Sequence, residues 1–374
     1  GGGDVKLALT ELRRRPGRFA TATVILSLIA VLLMFLGGLL DGLIANSTGA
    51  IRAQQADVIV YSDTAQASFV RSRIEPDVRA TVEAVPGVTE VGGLGNVQLG
   101  GRVPGNGPRD LASVVLFGYE IAPDGVPDAP PAGQAYADDT LEADGVEVGM
   151  TILLGPARSP IEVIGFVSDT NFAGQSGMWA SVDTWRAVLS ENRPDAQLAE
   201  GVFQALVVRG DTSDGTSLTD AIDAATGGAT DSYTIDEAIS AIPGVESQTT
   251  TFNQIIGVTL VIALVVIALF FALLTVERTS LYGVLKALGA KSSTIFAGLV
   301  VQAVVVTAIA ATFAGALVVV LDLLIPPGSI PLLVTPSRVI SSVVLLLASA
   351  VIGCAFSLRR VLRIDPASAI GTTS

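Results

Sequence analysis

The sequence predicts a membrane protein: four transmembrane helices, with a large extracytoplasmic α+β domain inserted between helices 1 and 2. Three observations carry that prediction. Half of the 374 residues are hydrophobic and the mean hydropathy is +0.61, yet the net charge is −13, so apolar and charged residues must be segregated along the chain. Four stretches without a charged residue, 19–40, 255–276, 292–321 and 339–358, each reach the roughly 20 residues that a bilayer crossing needs. Residues 46–250, between the first two, hold 29 acidic residues, ten arginines and no lysine.

In 1–18, Val5, Ala8, Leu9 and Leu12 fall at i, i+3, i+4 and i+7, while Lys6, Glu11 and Arg13–Arg15 take other faces. This predicts a short amphipathic helix in the cytoplasmic interface, bending into the span at Pro16-Gly17; a basic flank that only sets topology is the alternative. The first span is 19–45. Arg13-Arg14-Arg15 invite a secretory-leader reading, but the apolar core that follows is too long and lacks a small-x-small cleavage site.

The outside domain, 46–250, mixes signals. "ADVIVYS" (56–62), "ASVVLFGYEI" (112–121), "IEVIGFV" (161–167) and "FQALVVRG" (203–210) read as strands rich in β-branched residues. "EPDVRATVEAV" (75–85), "SVDTWRAVL" (181–189) and "SLTDAIDAAT" (217–226) read as helices with Ser or Asp near their starts. Proline and glycine crowd 100–135, which predicts loops or a mobile flap. Strands and helices do not alternate regularly, so the domain is α+β and not a doubly wound parallel sheet. "VPGV" (85–88) and "IPGV" (242–245) recur near its ends, and turn chemistry accounts for both.

The second span is 251–276, followed by a loop at 277–291, a third span at 292–321, a short outside loop at 322–338, a fourth span at 339–358 and a tail at 359–374. The third is longer than a crossing needs, so it tilts or extends past the surface. All three lysines (Lys6, Lys286, Lys291) lie in the N-terminal segment or the 277–291 loop, joined by Arg13–Arg15, Arg18 and Arg278, and the tail adds Arg359, Arg360 and Arg363. By the positive-inside rule both termini and that loop are cytoplasmic.

Several chemistries are excluded. Histidine is absent, which removes histidine-based zinc sites and Ser-His-Asp or Cys-His catalysis. The single cysteine, Cys354, lies in an apolar run and cannot form an intrachain disulfide. No G-x-x-x-x-G-K-[ST] motif occurs; "GVLKALGAKS" (283–292) imitates one with the wrong spacing, after a membrane span where a P-loop needs a strand. No metal-ligand cluster is apparent, and no span carries the central charge that marks an ion pathway. No catalytic residue, metal site or nucleic-acid partner is expected.

In the 277–291 loop, Leu281, Val284, Leu285 and Leu288 form an i, i+3, i+4, i+7 stripe. Thr279 or Ser280 can cap its start, and Gly289 is placed to end it; Arg278, Tyr282 and Lys286 face elsewhere. Such a helix suits either a partner protein's groove or the lipid surface.

"ERTSLYGVLKALGAKSSTI" (277–295) resembles the coupling-helix segment of MacB/FtsX-type (type VII) ABC transporter permeases. "RIDPASAIG" (363–371) resembles the close of that family, and "VGMTILLG…IEVIGFVSDTNFAGQSGMWASVDTW" (148–185) the end of its extracytoplasmic domain. The resemblance implies a coupling helix docked on a separate cytoplasmic ABC ATPase through Arg278, Tyr282, Leu285, Lys286, Leu288 and Gly289. It further implies two permease copies with two ATPases in a bacterial cell membrane, with ATP and Mg on the partner. "KLALTELRRRPGRF" (6–19) and "VLKALGAK" (284–291) are most similar to the haem-exporter (HrtB-like) and DevC-like permeases. Haem, or another amphipathic molecule from the bilayer, is then the expected cargo. Met34 and Asp41, seven apart on one face of the first span, could offer haem iron a thioether and a carboxylate. The plainer alternative is that Met34 fills packing space and Asp41 sits at the interface. A non-transporting transducer controlling an outside partner such as a cell-wall hydrolase, or a lipid or lipoprotein extractor, are the rival functions.

Overall fold

The computed structural model describes residues 16–107, 109–211, 217–277, 284, 288, 292–325 and 330–362. They fall in two compact units: Gly1–Gly42 with Thr249–Pro326 and Leu332–Ser374, and Leu43–Gln248 with Pro327–Pro331. Of the predicted interfacial helix, residues 1–15 lie outside the described residues, as does most of the 277–291 loop.

Four helices make the membrane unit: α1 (Pro16–Arg52), α6 (Val245–Glu277), α7 (Ser292–Leu324) and α8 (Pro336–Leu362). Each contains a stretch long and apolar enough to cross a bilayer. At about 1.5 Å per residue, 37 residues of α1 reach about 55 Å, well beyond the apolar thickness of about 30 Å. All four helices contribute to two internal clusters. One gathers Ala22, Leu26, Ile267, Phe271, Leu299, Val306, Ala350 and Cys354; the other gathers Ala30, Met34, Ala263, Ala314, Val318 and Leu346. Lipid tails are as apolar as leucine, so association relies on close packing of small residues, and alanine accordingly recurs in both clusters. Gly353 continues the rule: a Cβ there would lie 3.1 Å from Leu264 O and from Ile267 Cγ2. Gly353→Leu is therefore expected to force α6 and α8 apart and to lower the thermal unfolding midpoint of the detergent-solubilised chain; an unchanged midpoint would contradict this contact.

The outer unit is built on nine strands: β1 (Val58–Ser62), β2 (Val88–Arg102), β3 (Ala112–Tyr119), β4 (Gln134–Asp138), β5 (Thr151–Leu154), β6 (Ser159–Val167), β7 (Ser176–Ala180), β8 (Ala205–Gly210) and β9 (Thr230–Thr234). Their order is β3-β7-β4-β6-β5-β2-β8-β1-β9, and β2 also pairs with β3. Six strands thus close into a ring, β2-β3-β7-β4-β6-β5, while β8, β1 and β9 extend from the first half of β2. Pairing is mostly antiparallel; β3–β7 and β4–β6 are parallel.

Helices α2 (Pro76–Glu83), α3 (Val182–Asn192), α4 (Leu218–Ala225) and α5 (Ile235–Ala241) complete the unit. Ser181 and Ser217 cap α3 and α4 by accepting from the backbone three residues on, as their sequences predict. Before α2 stands Glu75, which forms no side-chain cap, so Pro76 begins that helix instead. Thr234 and Glu237 form a capping box on α5, and the backbone N–H and hydroxyl of Thr234 hold the Glu237 carboxylate below its ordinary range.

The 15-residue β2 is glycine-rich, which conceals it from propensity reasoning. Its glycines answer to packing: Gly95 lies opposite Gly118 of β3, and the buried Trp185 ring of α3 covers both. A Cβ on Gly95 would come 2.0 Å from Trp185 Cζ2. Within the glycine- and proline-rich 100–135 segment, the 120–133 stretch is tied to its surroundings. Asp124 N donates to Ala53 O (2.6 Å), Tyr119 Oη donates to Pro127 O (2.6 Å), and Val126 is buried. Gly87 and Gly244, in the two repeated "PG" turns, adopt φ of 97° and 94°, which only glycine reaches without strain.

Burial pushes the Tyr61 and Tyr119 hydroxyls above their usual range, helped by Tyr233 for the first and by Tyr136 and Asp128 for the second. Tyr233 is pushed up to about 12 by burial and by its hydrogen bond to Asp231. Raised folded-state values favour the protonated form. That contribution is complete below about pH 10, the unfolded tyrosine value, and is lost as pH rises through the folded values. Tyrosinate absorbance should therefore appear together with loss of the outer unit's circular dichroism above pH 10, and free titration of all tyrosines ahead of unfolding would contradict it.

Candidate functional site

Three regions bear on function: the 277–291 loop, the part of α1 around Asp41 in the membrane unit, and the last turns of α1 in the outer unit. In the first, Arg278, Tyr282, Leu285, Lys286 and Gly289 lie outside the described residues. Leu288 is described and 80% exposed, and Val284 is 49% exposed. Leu288 N donates to Val284 O at 3.0 Å, which is one helical turn. Two members of the apolar stripe therefore face outward from the chain's own packing.

At the outer end of α1, Asp41 meets Arg338 near the start of α8. Arg338 Nε donates to Asp41 Oδ2 at 2.8 Å and Nη2 donates to Oδ1, a two-pronged pair in which both side chains are largely buried. Gly37 and Gly38 admit this partner. A Cβ on Gly37 would strike Arg338 Cδ at 2.6 Å, and one on Gly38 would lie 3.2 Å from Leu333 O. Leu333 N donates to Gly38 O at 3.0 Å. Sequence "GGLLD" (37–41) is thus one half of a clasp whose other half is Leu333–Arg338.

These contacts bear on the two proposed haem ligands. Met34 is 2% exposed and packs among Ala30, Leu33, Ala263, Ala311 and Leu346. Both oxygens of Asp41 are engaged by Arg338. In this structure Met34 is packed among apolar side chains and the Asp41 carboxylate is paired with Arg338. Arg338 was not among the predicted site residues. A signal did exist: it is the one basic residue between Lys291 and Arg359, at the outer end of a span where positive charge is disfavoured, and Asp41 is the acid at the outer end of the first span.

In the outer unit, the last turns of α1 lie against the hairpin joining β6 to β7. Ala173 N donates to Ser47 O (2.9 Å), Gly174 N to Asn46 O (3.3 Å) and Ala50 N to Asn171 O (2.9 Å). A Cβ on Gly49 would come 2.4 Å from Asp169 O. Beneath the hairpin, the fully buried Asp138 carboxylate accepts from Thr170 N and Oγ1 (both 2.8 Å) and from Thr140 N (3.1 Å) and Oγ1 (2.7 Å). Thr140 Oγ1 also meets Ser176 Oγ at 2.8 Å, and the Phe172 ring stands edge-on to Phe69 and Phe117.

Residues 253–366 match the FtsX-like permease C-terminal family. A Staphylococcus epidermidis protein named as the hemin transport system permease HrtB is 27% identical over 138 residues, 37% of this chain, so that the chain spans about two fifths (39%) of that relative's length. An uncharacterized ABC transporter permease of Mycobacterium tuberculosis is 26% identical over 381 residues, covering 97% of this chain and 98% of that protein. The periplasmic region of MacB from Actinobacillus actinomycetemcomitans, a solved structure, aligns with 52% of this chain and 96% of its own at 13% identity and a TM-score of 0.34. The matched stretch takes in α6 from residue 253 onward, the 277–291 loop, α7 and α8, so the similarity to FtsX-like permeases lies in the last three membrane helices.

Proposed function

We propose that this chain is the membrane subunit of an ATP-driven exporter of the MacB/FtsX type, dimeric and paired with two separate cytoplasmic ABC ATPases, in a bacterial cell membrane with both termini inside. One observation carries the reading: the loop bearing Leu281, Val284, Leu285 and Leu288 lies inside the matched permease domain, between α6 and α7, with Leu288 and Val284 facing outward. An apolar ridge beside Arg278 and Lys286 is a surface that a partner's groove can take. ATP-driven closure of the ATPases would move this helix and, with it, the spans on either side. A mechanical output is favoured because helix, not loop, makes both passages between spans and outer domain, in α1 and α6.

Leu285→Glu should abolish co-purification of the ATPase while the chain still inserts in the membrane; retention of the ATPase at the wild-type ratio would refute docking through this helix. The relative named for hemin transport makes haem the first cargo to test. The purified complex should then show a Soret band after haem loading. A band weakened by Met34→Ala would assign the thioether a direct role, an unaltered band would remove Met34 as a ligand, and no band would remove haem.

A further inference from the structure

The hairpin Asp169–Gly174 is fixed to the strand ring on three sides. It leaves β6 and enters β7, both of which pair with β4, and the last residue of β4 is the Asp138 whose carboxylate takes four hydrogen bonds from Thr140 and Thr170. Its backbone is held in unusual conformations, with φ of 58° at Asp169 and 51° at Ala173, neither of them glycine. Such conformations persist where surrounding contacts over-determine them. Here the contacts are those to Asp138 and to α1 itself.

The α1 end is equally committed. Three backbone hydrogen bonds join 46–50 to the hairpin, Gly49 leaves no room for a side chain, and Ala50 and Ile51 are fully buried. The other passage is built differently: α6 follows a glycine turn, Gly244 at φ 94°, and Glu246, Ser247 and Gln248 of its first turn are exposed. Val245, the first residue of α6, is buried, but no backbone hydrogen bond like those of 46–50 to the hairpin is found for Glu246 or Gln248 of its exposed first turn among the described residues.

We propose that the Asp169–Gly174 hairpin is the socket through which movement of the first span is imposed on the outer domain, with Gly49 and Asp138 as its positioning residues. The inference rests on the transport reading above, because it needs an ATP-driven movement to transmit. The last turns of α1 and the ring then move as one body, and the Asp138 bonds keep the hairpin from yielding first.

The test uses the full chain with its ATPase in lipid nanodiscs. A Cys354→Ala background removes the buried thiol, and Val148→Cys, at a position 59% exposed beside β5, takes an environment-sensitive fluorophore. ATP should change the emission of this parent complex. Gly49→Val should cut that response about fivefold and Thr140→Val, which removes the hydroxyl between Asp138 and Ser176, about twofold, with ATP hydrolysis near the parent's and some loss of thermal stability in both, since one overpacks a backbone contact and the other strips a buried hydrogen bond. A structural role alone would lower stability and leave the response intact. Full responses in both variants would overturn the socket. If Gly49→Val fails to fold, Thr140→Val decides alone. A parent whose emission ignores ATP would defeat the transport reading itself, and the socket with it.

Discussion

Trp185→Ala is expected to destabilise the outer unit by roughly 3–5 kcal/mol, the cost of emptying a large aromatic site in a packed core. The ring is fully buried, stacks on Phe203 at 6.3 Å, and lies on the bare backbone of Gly95 and Gly118. Nothing small can replace it, because the two glycines supply no side chains to close over the space. The reciprocal change should also be severe: Gly95→Ala puts a methyl where the ring already is, and overpacking of this kind costs about 1–3 kcal/mol or more. The two effects should not add. In a Trp185→Ala background, Gly95→Ala has room for its methyl and should become nearly neutral. Thermal unfolding of the four proteins measures this, and strictly additive losses would contradict the packing described.

The Asp41–Arg338 clasp should show the second large effect. Asp41→Ala leaves a guanidinium at the outer end of a span with no acid opposite it. Removing one partner of a buried pair costs about 3–5 kcal/mol, and partial exposure here brings the expectation to about 2–3 kcal/mol. Asp41→Arg should be worse, since it sets two cations together. The exchanged pair, Asp41→Arg with Arg338→Asp, should recover much of the stability, provided the two glycines before position 41 still admit the longer side chain from the other direction. Unfolding of the detergent-solubilised chain gives the comparison, and an exchanged pair no better than the worse single variant would contradict a direct ionic contact.

The spans were legible because a bilayer demands one property over a long window, and 255–276 or 339–358 supply it without interruption. Strands β1, β3, β6 and β8 were legible for a related reason, as runs of valine and isoleucine. The central β2 was not. Gly92, Gly93, Gly95, Gly100 and Gly101 argue against a strand locally, and only the rings and aliphatic groups that occupy the missing side-chain space explain them. Strands β4, β5, β7 and β9, of four or five residues each, are too short to show a period. At the candidate sites the limit is sequence distance. Asp41 and Arg338 are 297 positions apart, and the α1 end meets its hairpin more than a hundred residues later. Met34 and Asp41 share a helical face, as the spacing of seven requires, but a shared face does not say whether a group is free. The apolar stripe of 281–288 needed no distant partner to be seen, which is why the 277–291 loop was the clearest candidate signal in the sequence.

On the proposed function, this chain borrows its ATP hydrolysis from a separate subunit. The most direct measurement is ATP turnover by the intact chain purified from its host's membranes, before and after the co-purifying protein is removed. An ABC ATPase in stoichiometric amount is expected, with turnover that leaves with it. Turnover that stays with this chain alone, or a pure chain with no nucleotide-hydrolysing partner under any mild extraction, would contradict it.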